Sequence, residues 1–166
     1  LYRTLLLAFS MEYPDRVLEC LGNPYVLYLF ELSRSVQNEA HHLLGFLRFK
    51  ELRSGILFSE IHPKNDVLPI LGEHFCDRLP QENFMIYDGT RKLALIHRAG
   101  SFDFLIADAS TLDQNLIQNY SDSELEYQKL WCGFFESITI EARKNPSLQN
   151  QNILKRFQKD TVEFQN

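Results

Sequence analysis

The sequence predicts an α+β domain, an antiparallel sheet of about five strands packed with helices. Three observations lead to it. Apolar residues recur every three or four positions before residue 45, over 65–79 and again after residue 121. Between those stretches apolar and polar residues alternate in short runs. The joints between neighbouring runs are brief and each carries a glycine.

Taken in order, Leu1 to Phe9 is apolar and reads as the end of a helix. "YPDRVLECLG" (13–22) reads as a short helix with Pro14 in its first turn and Gly22 closing it. Asn23 then caps a long helix that Pro24 starts, and Val26, Leu29, Phe30, Ser33, Val36, Ala40, Leu43 and Leu44 keep its period. From Gly45 the period falls to two. "FLRFKEL" (46–52) and "GILFSEI" (55–61) read as strands joined through Arg53-Ser54-Gly55. "NDVLPILGEHFCDRL" (65–79) is helical again, capped by Asn65 or Asp66, with Leu68, Leu71 and Phe75 on one face.

Three strand-like runs follow: "NFMIYD" (83–88), "KLALIHR" (92–98) and "SFDFLIA" (101–107). Short turns at Asp88-Gly89-Thr90 and Ala99-Gly100 make them a meander. Residues 111–122 read as a loop with Tyr120 as a small anchor. Ser121 or Ser123 opens a helix whose early acids, Asp122, Glu124 and Glu126, suit its positive N-terminal dipole. Tyr127, Leu130, Trp131, Phe134, Phe135 and Ile138 then form a wide apolar stripe. Asn145-Pro146 breaks that helix, and Ser147 caps a last one reaching about Phe157.

At 166 residues the chain is the size of one domain, and it buries roughly two thirds of its unfolded surface. A single domain over 1–166 is expected, with room for a missing N-terminal segment because the chain starts at Leu1 inside a helical run. Hydrophobic residues at 45% and aromatics at 13% fill a core and argue against disorder outside the ends. No apolar run is long enough to span a bilayer, and no secretory signal is visible. Cys20, Cys76 and Cys132 are odd in number and set among apolar residues, which fits reduced thiols in a cytoplasmic protein.

Net charge is −5, but its distribution is uneven. Residues 1–100 carry eleven Lys and Arg against twelve Asp and Glu, and residues 101–142 carry eight acids and one Lys. From Arg143 to Lys159 there is no acid, and Arg143, Lys144, Lys155, Arg156 and Lys159 supply five cations. A solvated helix end fits this pattern, and so does a local face for an anion. Asn145 and Gln149 add amides of the kind that meet phosphates and base edges.

Catalytic signatures are absent. No histidine pair has i,i+4 spacing and no CxxC occurs, so no metal is expected, and no glycine-rich nucleotide loop implies a cofactor. Arg48 alternates with aromatics on the first strand, where it forms a salt bridge to Glu60 or meets an anion. Asp88 folds its own turn or, with His41 and His74, serves as an acid/base group.

Four ordered blocks, "NEAHHLLGFLRFKEL" (38–52), "PILGEHFCDRL" (69–79), "FMIYDGTRKLAL" (84–95) and "LWCGFFESITIEARKNPSLQNQNILKRF" (130–157), resemble an uncharacterised bacterial domain family labelled "probable DNA metabolism protein". The resemblance covers essentially the whole chain. The family's EAH, GFxRF, HF, DxxR, LW and ERKNPxLQ patterns fall on Glu39-Ala40-His41, Gly45-Phe46-Arg48-Phe49, His74-Phe75, Asp88 and Arg91, Leu130-Trp131, and Arg143-Lys144-Asn145-Pro146-Leu148-Gln149. Ala142 stands where the family has Glu, and Leu154-Lys155-Arg156-Phe157-Gln158 replaces its Pro-Lys-Arg-Tyr-Trp ending.

The resemblance implies a companion of a radical-SAM protein, with similar domains fused ahead of a uracil-DNA-glycosylase-type domain. It supplies no catalytic residues. The expectation is therefore a non-catalytic, cytoplasmic, nucleic-acid-associated module for DNA repair or modification, with no membrane partner. Arg48, Arg91, Arg143, Lys144, Asn145, Gln149, Lys155 and Arg156 are its expected DNA contacts. The alternatives are an enzyme on a nucleotide or damaged base through His41, His74 and Asp88, and a protein-docking domain for the partner.

Overall fold

The computed structural model describes residues 1–112, 117–138, 145–153 and 155–158. Helix α1 (Tyr2–Ser10) leads through a 3₁₀ turn (Pro14–Glu19) into α2 (Pro24–Phe46). The expected start of α2 is present: Asn23 Oδ1 accepts from the Tyr25 N–H at 2.9 Å, and Pro24 occupies the first turn, where its missing donor costs nothing. The two halves of α2 differ. Of the expected core face Val26, Ala40 and Leu43 are buried, whereas Phe30 is exposed, as are Tyr28 and Leu32 beside it, so burial is most continuous toward the C-terminal end.

Gly45 and Phe46 remain helical, which leaves the first strand far shorter than the alternating run 46–52. Strand β1 is only Lys50–Glu51. Strands β2 (Leu57–Ile61), β3 (Phe84–Asp88), β4 (Leu93–His97) and β5 (Phe104–Asp108) complete a sheet ordered β1-β2-β3-β4-β5. Strands β2 and β3 run parallel, while the other three pairings are antiparallel. Helix α3 (Leu68–Arg78) accounts for the parallel pair, since it carries the chain back along the sheet before β3 begins. The fold is α+β with a mixed, mostly antiparallel sheet.

The period of two sorts the strands between two clusters. Phe84, Ile86 and Leu95 join Leu43, Leu68, Leu71 and Phe75 beneath α2 and α3. Tyr87 and Ala94 join Leu52, Phe58, Ala109 and Ile117 on the other side. Tyr120 packs against this second cluster and bridges to Leu52, so the expected anchor is in place. Helix α3 comes very near the sheet at Gly72, where a Cβ would lie 2.6 Å from Leu95 Cδ1 and 2.7 Å from the Phe104 ring.

Three sequence expectations need correction. Val67, not Asn65 or Asp66, precedes α3 and has no polar side chain to cap it, while the Asn65 amide donates to Glu39 Oε2 at 2.7 Å. The apolar stripe of α4 (Asp122–Ile138) faces outward: Tyr127, Leu130, Phe134 and Ile138 are all more than half exposed. The side chain of Phe135 lies outside the described residues. The last helix divides into α5 (Pro146–Asn152) and α6 (Lys155–Gln158). Asn145 caps α5 in place of Ser147, its Oδ1 accepting from the Leu148 N–H at 3.0 Å. No helix among the described residues is long and apolar enough to cross a membrane.

Candidate functional site

The segment leaving α2 and the first turns of α4 are far apart in sequence and are fastened together by polar contacts. Ser121 Oγ accepts from the Glu124 N–H at 3.1 Å and so caps α4. That hydroxyl also donates to Glu51 Oε2 at 2.8 Å. In return Glu124 Oε2 accepts from the Glu51 N–H at 3.2 Å. Arg53 completes the joint, with Nη2 2.7 Å from Asp122 Oδ1 and Nε donating to the Tyr120 carbonyl.

A groove of 340 Å³ opens along this joint, lined by Arg48, Phe49, Lys50, Glu124, Tyr127, Gln128 and Trp131. Its size falls at the small end of ligand clefts, roughly 300–1,000 Å³. Arg48 is exposed, and one of its nitrogens donates to the Gly45 and Leu47 carbonyls at 3.2 and 3.3 Å, which steadies the side chain over the end of α2. Lys50 Nζ lies 5.5 Å from the centre of the Tyr120 ring, within cation–π range. Tyr127 and Trp131 are 68% and 46% exposed, so both aromatic residues are open to solvent beside the groove. Glu124 is the one acid among the described lining residues, and Gln128 Nε2 donates to its Oε1 at 2.7 Å. Flat rings beside cations and an amide are chemically suited to a planar anionic ligand such as a nucleotide.

The family model for DUF4130, a domain of unknown function, matches residues 1–163. The chain belongs to the DUF4130 family. Comparison with curated proteins and with solved structures gives no match.

Within this DUF4130 domain the expected site residues separate. Arg48 lies in the groove and does not pair with Glu60, whose Oε1 is instead 3.5 Å from His62 Nε2. Arg91 directs its guanidinium into the protein, to Asp88 Oδ2 at 3.0 Å and to the Pro63 and Lys64 carbonyls. Asp88 is fully buried, and its Oδ1 accepts from the Thr90 and Arg91 N–H groups at 2.9 and 3.0 Å. That is the turn-folding arrangement of the two roles weighed for it.

His41 and His74 are both exposed, on α2 and α3. His41 contacts the His42 ring at 6.4 Å and His74 meets Phe75 edge-on at 5.1 Å. No hydrogen bond, ion pair or ring contact joins any two of His41, His74 and Asp88. Asn145 and Lys155 are exposed. Arg143 and Lys144, with the side chains of Gln149 and Arg156, lie outside the described residues. Among the described residues no three His, Cys, Asp or Glu side chains gather as metal ligands do.

Lys50, Tyr127, Gln128 and Trp131 escaped the sequence reading as site residues. Apolar periodicity made Tyr127 and Trp131 look like packing residues, and nothing local announces that a helix face is left uncovered. A second, polar cleft of 450 Å³ runs beside α2, lined by Arg34, Asn38, Glu39, His42 and Lys64 among others.

Proposed function

We propose that this chain is a non-catalytic nucleic-acid-binding module whose groove between β1 and α4 takes an unpaired nucleotide. Tyr127 and Trp131 offer faces for a base, and Arg48 and Lys50 meet the phosphate. The observation that carries the reading is the coincidence of two cations and two exposed rings in one groove. By the resemblance of its sequence, the module supports DNA repair or modification beside a radical-SAM or glycosylase partner. The acid-free tail with Arg143, Lys144 and Lys155 extends the phosphate contacts.

Fluorescence anisotropy with single-stranded and duplex oligonucleotides over a salt series tests this. Stacking on an aromatic side chain is worth about 1–3 kcal/mol per base, so Trp131→Ala weakens single-strand binding by about fivefold or more. Arg48→Glu with Lys50→Glu weakens both ligands and flattens the salt dependence. Absence of any salt-sensitive binding by the unaltered chain defeats the reading.

A second reading, docking of the partner protein, is supported by the apolar residues exposed on α1 and the first half of α2, including Phe9, Tyr28 and Phe30. Co-purification with the radical-SAM companion that survives nuclease, and is lost on Phe9→Asp with Phe30→Asp, distinguishes it.

A further inference from the structure

The two edges of the sheet are treated differently by the chain. The β1 edge is closed by the segment before α4. Leu52 bridges to Tyr120, the Arg53 N–H donates to the Asn119 carbonyl, and the Ser121 N–H donates to the Glu51 carbonyl. Among the described residues the β5 edge has no such cover. The Ala109 N–H donates to the Lys92 carbonyl, so residues of that parity in β5 point their backbone toward β4. Phe104, Ile106 and Asp108 therefore turn their N–H and C=O groups away from the sheet, and no described residue meets them.

The side chains around this edge are apolar and open. Phe102 is 95% exposed, and Leu105 and its cross-strand partner Ile96 are 63% and 43% exposed. Natural edges are normally blunted by lysine, proline, a bulge or a covering loop. Among the described residues, β5 between Asp103 and Asp108 has none of these.

We infer that β5 pairs antiparallel with β5 of a second copy of this chain, joining two five-stranded sheets into one of ten strands. The occupant follows from register and charge. A two-fold axis at Ile106 sets Ile106 opposite its own copy and Phe104 opposite the second copy's Asp108. All three outward residues then exchange backbone hydrogen bonds, because each of the three opposed pairs joins two outward-facing positions. Neither carboxylate meets another: Asp108 faces Phe104, and Asp103 faces Ala109. Leu105 comes beside Ala107 of the second copy, covering apolar surface on both. The same axis leaves both grooves free at the outer ends of the joined sheet, about 45 Å apart.

Analytical ultracentrifugation of the intact chain over a concentration series tests the pairing. A monomer–dimer equilibrium is expected, and Leu105→Lys, at an exposed position, weakens the dimer by about tenfold or more while the circular dichroism spectrum stays unchanged. Register is read by disulfide trapping with Cys20 and Cys132 replaced by serine. A mixture of Leu105→Cys and Ala107→Cys chains cross-links on oxidation, since such opposed positions place Cα atoms about 4.5 Å apart. A chain that stays monomeric throughout, or a dimer indifferent to Leu105→Lys that gives no mixed disulfide, overturns the inference.

Discussion

Glu39 and Arg91 hold the same short loop through its two kinds of backbone group. Glu39, 3% exposed on α2, accepts from the Lys64 and Asn65 N–H groups at 3.0 and 2.8 Å. Arg91, after β3, donates to the Pro63 and Lys64 carbonyls. The loop they grip joins β2 to α3, so this pair fixes where the parallel crossover begins.

Glu39→Ala removes a buried acceptor and leaves two backbone donors unanswered, at a cost of about 3 kcal/mol. Glu39→Gln keeps one acceptor oxygen and costs less. Urea denaturation of both variants checks the order; equal stability of Glu39→Ala and the parent removes the loop-holding role.

Asp88→Ala removes the carboxylate that pairs with the Arg91 guanidinium, whose side chain is only 26% exposed, and breaks the turn that Asp88 folds. A loss of about 3 kcal/mol is expected, as for other buried pairs deprived of one member. Arg91→Lys keeps the charge but loses the fork that reaches two carbonyls and a carboxylate, so it destabilises without restoring the parent. Thermal unfolding of the two variants decides; a neutral Arg91→Lys contradicts the geometry.

Gly72→Ala places a methyl group 2.6 Å from Leu95 Cδ1, and Leu95 is itself fully buried with little room to yield. Overpacking of this kind costs about 1–3 kcal/mol, although alanine is the better helix former. Adding Leu95→Val makes room and recovers part of the loss, which a double-mutant cycle measures.

Much of this fold was legible because local chemistry and tertiary structure agree. Asn23-Pro24 starts α2, and alternation marks β2 to β5 to within a few residues. The shortness of β1 was hidden, since Gly45 and Phe46 fit either period until Leu47 ends the helix with its N–H on the Leu43 carbonyl. The outward stripe of α4 was hidden for another reason: periodicity says which residues share a face, not what covers it. Arg48 was singled out from the sequence, but its groove neighbours Gln128 and Trp131 come from about eighty residues later, and only folding brings them together.

Cys76 gives a prediction in pH. It is 5% exposed on the buried face of α3, and burial, then the carboxylates of Asp77 and Asp103, push its thiol above the ordinary 9.0. Folded, the group keeps its proton to higher pH than it does unfolded. In the window above 9.0 the native state therefore binds more protons, and stability falls as pH rises until the folded thiol ionises too. Tyr120 is shifted the same way by burial and then by Glu60 and Glu124, but it enters only above 10.0. Cys76→Ala should flatten the decline between about pH 9 and 10, at some cost in packing, while Tyr120→Phe leaves that interval alone. In the native chain near pH 8, the half-buried Cys20 and Cys132 should react with a thiol reagent well before Cys76. Labelling of Cys76 as fast as Cys20 would show that the packing of α3 against the core does not protect it.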